Sequence, residues 1–140
     1  MAEVFRTSRR IEFADTDAAG IAHFSTYFRL MEEAEHEFLR SVGLSVLLRD
    51  DEGAISFPRV RAECDYRAAL RFEDVAEIDV RVLKLGRTSI GYEFAFSRGG
   101  EPIAHGQIVC VCCRVSNDGP PQAIAIPEWI AEKLRPFVAA

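Results

Sequence analysis

The chain has 140 residues, 49% of them hydrophobic and 28% charged, a length and balance suited to one globular domain, residues 1–140, that buries its own core. Seventeen Lys and Arg against 22 Asp and Glu leave a net charge of −5, which argues against nucleic acid or an anionic membrane as partner, because both need a basic face. The opening MAEVFRTSRR has no apolar run behind it, and no stretch approaches the roughly 18 apolar residues of a membrane span; the expectation is a cytoplasmic protein whose four cysteines are thiols.

A first strand is predicted over Phe5–Ala14, where Ile11 and Phe13 alternate with Arg10 and Glu12. A loop rich in small residues, Asp15–Ala22, follows. Phe24, Tyr27, Phe28, Met31, Ala34, Phe38 and Val42 then recur at spacings of three and four, with Arg29, Glu32, Glu33, His36, Glu37 and Arg40 on the other side. This predicts an amphipathic helix over Phe24–Val42. Ser25 or Thr26 can cap its start, and Gly43 suits the left-handed position after its end. The polar stretch Arg49–Gly53 closes this half of the chain.

The period then falls from about 3.6 to 2. Four strands are predicted around Val60–Ala68, Ile78–Val82, Ile90–Phe96 and Ile103–Val115, divided by Arg71–Asp74, Gly86-Arg87 and Gly99–Pro102. Links this short favour antiparallel neighbours. After Asn117–Pro121 a short helix is predicted at Pro127–Arg135, with Pro127 in its first turn. Strand, long helix, four strands is the order of an α+β fold, one helix covering a five-stranded antiparallel sheet. On the last strand Ala104, Gly106, Ile108, Cys110 and Cys112 are as apolar as their odd-numbered neighbours. Such a strand is covered on both faces, as a subunit interface would do, so a homo-oligomer is expected.

The segment from Asp15 to Phe24 carries two carboxylates, Asp15 and Asp17, on a loop of small residues beside a helix start. A helix start offers unpaired backbone N–H groups and a partial positive charge, and so can bind an oxyanion. A carboxylate and an oxyanion donor facing one carbonyl are the minimum for acyl transfer or hydrolysis. By spacing alone the D-x-D-x-x-G pattern fits an ordinary turn better than it fits chemistry.

The run Asp15-Thr16-Asp17-Ala18-Ala19-Gly20-Ile21, followed by Phe24, Tyr27-Phe28 and an acidic helix ending near Phe38-Leu39, and preceded by Arg10-Ile11-Glu12-Phe13, resembles the hot-dog fold. More closely it is similar to the 4-hydroxybenzoyl-CoA thioesterase-like proteins. Looser support comes from Arg87-Thr88-Ser89 and Ala104-His105-Gly106. The resemblance implies a long helix packed in a curved antiparallel sheet, homodimers or homotetramers, and sites at the dimer interface. It implies hydrolysis of an acyl- or aroyl-coenzyme A thioester, with coenzyme A as part of the substrate, no separate cofactor and no metal. By the same resemblance Asp17 is the catalytic carboxylate, either attacking the thioester carbon to give a mixed anhydride or activating a water. Asp15 is a conformational residue of the loop, and the backbone N–H of Phe24 polarises the thioester carbonyl. Many relatives carry a histidine at the position of Phe24; here His23 precedes it and is expected to line the site as a catalytic residue, a hydrogen-bond donor or proton carrier. Gly20, Ile21 and Tyr27 are expected substrate contacts. Lys84, Arg87, Thr88 and Ser89, clustered at one strand-to-strand turn, fall where the family contacts pantetheine and nucleotide.

Two other readings keep the fold: a non-catalytic acyl-CoA-binding module, and a hydratase acting on an enoyl thioester through an Asp–His pair. Cys110 and Cys113 form a CxxC within an apolar strand, where alternation points them to opposite faces, so buried thiols are expected rather than a zinc pair. Glu32 and His36 are read as a helix-surface pair, Glu32 and Glu35 as side chains within reach of an acyl pocket, and Arg59, Arg61 and Arg67 as an exposed strand face. The sequence contains no G-x-S-x-G elbow of a serine hydrolase.

Overall fold

The computed structural model describes residues 2–139. In chain order its elements are β1 (Phe5–Arg10), α1 (Thr26–Ser41), β2 (Leu47–Asp50), β3 (Gly53–Ser56), β4 (Arg59–Tyr66), β5 (Val75–Leu85), β6 (Ser89–Arg98), β7 (Glu101–Val111), β8 (Cys113–Val115), β9 (Gln122–Ala123) and α2 (Glu128–Leu134). Five strands form one antiparallel sheet in the order β1-β5-β6-β7-β4, and α1 packs on it in the hot-dog arrangement. The apolar stripe of α1, Tyr27, Leu30, Met31, Ala34 and Phe38, is buried together with Ile78, Val80, Val82, Tyr92, Phe94, Phe96 and Ile108 of the sheet. Gly106 lets the helix come close: a Cβ there would stand 2.3 Å from Met31 Sδ, so the thioether packs on bare backbone. Among the described residues no helix is long and apolar enough to cross a membrane.

The two edges of the large sheet are treated differently. Pairing of β1 with β5 stops at Phe5↔Val80. Beyond it the end of the chain takes over, with Ala139 N–H donating to the Val82 carbonyl at 2.8 Å. The opposite edge, β4, pairs only with β7 among the described strands, and its Val60 and Tyr66 are 62% and 45% exposed. On the outer face of β7, His105, Gln107, Val109 and Val111 are half-buried in a single chain.

Several boundaries differ from expectation for local reasons. The first strand ends at Arg10 rather than Ala14. Ile11 is buried, but the Asp15 carboxylate then accepts the Glu12 N–H at 2.8 Å and bends the chain into a 3-10 turn that leaves Phe13 76% exposed. The polar stretch Arg49–Gly53 spans the end of β2, the turn at Asp51-Glu52 and the start of β3, a hairpin whose strands are too short for a period to register. The predicted strand Ile103–Val115 breaks at Cys112, where the chain leaves the large sheet and β8 joins a second, small sheet of order β2-β3-β8-β9. Alternation therefore does not run through to Cys113, and Cys110, Cys112 and Cys113 are all buried thiols. Pro127 precedes α2 instead of opening it, its carbonyl accepting from Ile130 and Ala131.

Arg61 and Arg67 are exposed, but Arg59 is not part of that face. At a bulge between Arg59 and Arg61 its guanidinium turns inward and pairs with Glu35, which is 1% exposed. Arg59 Nη1 also donates to the Phe57 carbonyl at 3.1 Å. Glu32 lies 3.8 Å from the same guanidinium and His36 lies 3.9 Å from Glu35, so the Glu32–His36 pair expected on the helix is replaced by contacts to Arg59 and Glu35. Burial pushes the Glu35 carboxyl up to about 7 from its ordinary 4.5, against the opposing pull of Arg59. Between those two values the folded chain holds a proton that the unfolded chain has lost. The contribution of Glu35 is therefore fully present below pH 4.5 and fades as pH rises through about 7. The expected outcome is that urea midpoints of the wild-type chain fall, relative to those of Glu35→Gln, between about pH 5 and about pH 8; a constant difference across that range would contradict the assignment.

Candidate active site

The loop between β1 and α1 is built around Asp15, which is 7% exposed. One of its carboxylate oxygens takes the Glu12 N–H, and the other is held by the guanidinium of Arg29 in the first turns of α1. Its backbone carbonyl accepts the His23 N–H at 2.8 Å and the Thr26 hydroxyl at 2.9 Å. One residue thus ties the loop's entry, its exit and the helix together. Arg29 is itself held by Glu33, at 2.5 Å, and Glu33 by Arg9 of β1, at 3.0 Å. Burial raises the Glu33 carboxyl, but the hydrogen bonds from Arg9 and Arg29 outweigh it and keep the group below its usual range.

Two residues further on, Asp17 opens a tight turn. Gly20 N–H donates to the Asp17 carbonyl and Asp17 N–H to the Ile21 carbonyl, each at 2.9 Å. Gly20 has φ +80, a conformation that a side chain would strain. Asp17 Oδ1 accepts the Ala19 N–H at 2.8 Å; among the described residues no partner holds Oδ2. The expected side-chain cap of the helix start, from Ser25 or Thr26, is absent. Instead the Ser25 N–H donates to His23 Nδ1 at 3.1 Å, and the Ser25 hydroxyl lies 2.7 Å from the same nitrogen. A nitrogen that accepts a backbone N–H carries no proton, so a neutral His23 bears its proton on Nε2. Among the described residues the Phe24 N–H has no acceptor.

Asp17, Ile21, Ala22, Phe24 and Tyr27 line one cleft of about 390 Å³, closed on its far side by Tyr66, Arg67, Ala68 and Ala69. Three aromatic side chains face this space. Phe24 is 65% exposed, Tyr27 is buried, and the rings of Tyr27 and Tyr66 meet edge to face at 5.0 Å. The Tyr66 hydroxyl donates to the Phe24 carbonyl at 2.9 Å; burial pushes this hydroxyl up to about 12, so it keeps its proton for that bond. A carboxylate and an unpaired backbone amide on residues that line one largely apolar cleft are the parts that attack on a polarised carbonyl requires.

The expected site residues divide into two groups. Asp17, Ile21, Tyr27 and Phe24 meet at the cleft. Gly20 shapes the turn but is not among the residues lining the cleft, and the ring of His23 stacks on Phe24 with centroids 4.5 Å apart outside that lining. Lys84, Arg87, Thr88 and Ser89 lie at the other end of the sheet. Ile90 is at their end of β6 and Phe96, which packs on Tyr27, is at the cleft end, so within one chain the separation is about 20 Å. Glu32 and Glu35 do not line the cleft. Tyr66 and Arg67 were missed as site residues. Tyr66 sits 42 residues beyond the carbonyl it holds, and its only local signal is its position in the alternation of β4. Among the described residues no group of three or more His, Cys, Asp and Glu is arranged to hold a metal ion.

Comparison with known proteins extends over nearly the whole chain. A profile of the thioesterase-like superfamily matches residues 11–134. The chain is 34% identical over 127 residues to a protein from Aquifex aeolicus, covering 91% of this chain and 94% of that one. It is 29% identical over 132 residues to a 1,4-dihydroxy-2-naphthoyl-CoA hydrolase from Synechococcus elongatus, covering 94% and 95%. The solved structure of a gentisyl-coenzyme A thioesterase superposes with a TM-score of 0.77 at 29% identity, over 94% of this chain and 99% of the other.

Proposed function

The chain belongs to the thioesterase-like superfamily, and from that premise we propose that it hydrolyses the thioester of an aroyl-coenzyme A to the free acid and coenzyme A, with Asp17 as the reacting carboxylate. The observation that carries the reading is that Asp17 and Phe24, the latter at the start of α1 with its N–H unused, line the same cleft. The aromatic walls, Phe24, Tyr27 and Tyr66, favour a flat acyl group, and two of the relatives above are named for aryl thioesters. Four thiols among the described residues fit the cytoplasm as the compartment.

The chemistry needs few parts. The carbonyl oxygen accepts the Phe24 N–H at the positive end of the helix, which stabilises the charge that gathers there during attack. Asp17, fixed through Oδ1, presents Oδ2. It either adds to the thioester carbon, expelling coenzyme A thiolate and leaving a mixed anhydride that water cleaves, or takes a proton from the water that adds. The thiolate leaves readily and is protonated from solvent. Single-turnover hydrolysis in heavy-oxygen water tests the anhydride route: heavy oxygen recovered in Asp17 requires an anhydride opened at its aspartyl carbonyl, whereas direct attack of water on the thioester, or opening at the aroyl carbonyl, delivers it only to the acid.

We infer further that the working unit is a homodimer built across β4. This edge is unpaired in one chain and exposes Val60 and Tyr66. Antiparallel pairing of two such edges about a two-fold axis brings the partner's Arg59 end beside this chain's Tyr66 end. Arg59 pairs with Cys110, and Cys110 with Ile90, so the partner's Arg87–Ser89 turn arrives near the cleft with its cation available for the phosphates of coenzyme A. A dimer therefore removes the 20 Å separation of about one strand length that a single chain leaves.

Two outcomes test this. Free-thiol release from a panel of aryl, short aliphatic and long aliphatic acyl-CoAs is expected to be fastest with an aryl substrate and to fall by about 100-fold or more in Asp17→Asn, with folding and oligomeric state unchanged. Binding without thiol release would mark a non-catalytic module, and hydration of an enoyl-CoA would mark a hydratase. Mixing Asp17→Asn with Arg87→Ala subunits at subsaturating substrate is expected to restore activity, because about a quarter of the sites in a randomly re-paired dimer then draw both intact residues from different chains. No recovery would mean that each site is made by one chain.

A further inference from the structure

We infer that Arg29 is a positioning residue for the reaction: by bridging Asp15 and Glu33 it fixes the loop that carries Asp17 against the start of α1. The inference rests on the reading of Asp17 as the reacting carboxylate. Among the described residues Asp17 is held only by bonds within its own turn, to Ala19, Gly20 and Ile21. Nothing within that turn fixes its orientation toward Phe24. The orientation comes from Asp15, two residues earlier, whose carbonyl takes His23 N–H and the Thr26 hydroxyl and whose carboxylate takes Glu12 N–H. The remaining carboxylate oxygen of Asp15 is held by Arg29 Nη2, while Arg29 Nη1 is held by Glu33.

Arg29 stands three residues after the first residue of α1, so it joins the loop to the helix start that Phe24 immediately precedes. Glu33 is anchored in turn by Arg9, and Arg9 by Glu37 and Thr7 at 2.9 and 3.0 Å. The chain of ion pairs runs from β1 along one side of α1 to the loop. Its members are part-exposed except Asp15, so little of the core depends on it, whereas the loop does. A guanidinium can serve two carboxylates at once in a fixed fork; an ammonium is a single point and serves them in turn.

The test compares Arg29→Ala and Arg29→Lys with Arg135→Ala, which removes an exposed Arg–Glu128 pair far from the site. The aryl-CoA turned over fastest in the panel is the probe. Arg29→Ala is expected to lower kcat by about 100-fold and Arg29→Lys by about tenfold, with KM within about threefold of wild type in both. Added guanidinium is expected to raise kcat of the Ala variant and not of the Lys variant. In an Asp17→Asn background, Arg29→Ala removes little more, because both changes act on one group. A kcat of folded Arg29→Ala within about threefold of wild type, or equal to that of Arg135→Ala, overturns the inference. Should the Ala variant not fold, the Lys variant decides by the same threshold. Full activity in Asp17→Asn instead overturns the reading of the site itself.

Discussion

The geometry of the site depends on one buried carboxylate, that of Asp15. A loop of small residues has little apolar surface with which to fix itself, so its shape is set by hydrogen bonds. Asp15 supplies four of them, two through its carboxylate and two through its carbonyl, and they converge from the end of β1, from His23 and from α1. The catalytic candidate, Asp17, is held by bonds within its own turn and keeps one carboxylate oxygen without a partner among the described residues. The division of labour explains why two aspartates, spaced by one residue, have such different surroundings: the first is buried and saturated, the second half-buried and partly unpartnered.

Much of this was legible in the sequence. The spacing of Phe24, Tyr27, Met31, Ala34 and Phe38 specifies a helix with one apolar face, and the helix found begins two residues later and ends one residue earlier than the pattern. The period-2 runs are equally plain where β5, β6 and β7 bury alternate residues in the core. What escaped the sequence are features decided by distant contacts. The hairpin at Leu47–Ser56 has strands of four residues, shorter than a readable period. The break at Cys112 arises where the chain changes sheets, with Cys112 N–H turning to the Thr88 carbonyl, a contact no local pattern encodes. Arg59 looked like a surface charge by its polar neighbours, yet a bulge rotates it under the strand to meet Glu35.

The site was legible to a similar depth and failed in a similar way. The loop motif led to Asp17 and Phe24, and both residues line the cleft. His23 carried its expectation from the histidine that relatives hold one position later, and here its Nδ1 accepts the Ser25 N–H just before the helix, outside the cleft lining. The Lys84–Ser89 turn is one strand length from the cleft in its own chain. That distance is the physical reason a second chain enters the account, since an exposed sheet edge with apolar side chains and unpaired backbone groups is a template for another strand. Tyr66 joins the two themes: it lies on that edge, and its hydroxyl holds the carbonyl of Phe24, a residue that lines the cleft.

The most direct test of the central claim is a structure of Asp17→Asn bound to an aroyl-coenzyme A. The account requires the thioester carbon to lie in contact with the side chain at position 17 and the carbonyl oxygen to lie within hydrogen-bond distance of the Phe24 N–H. A ligand seated in another cleft, or in this one with its carbonyl directed away from that amide, would contradict it.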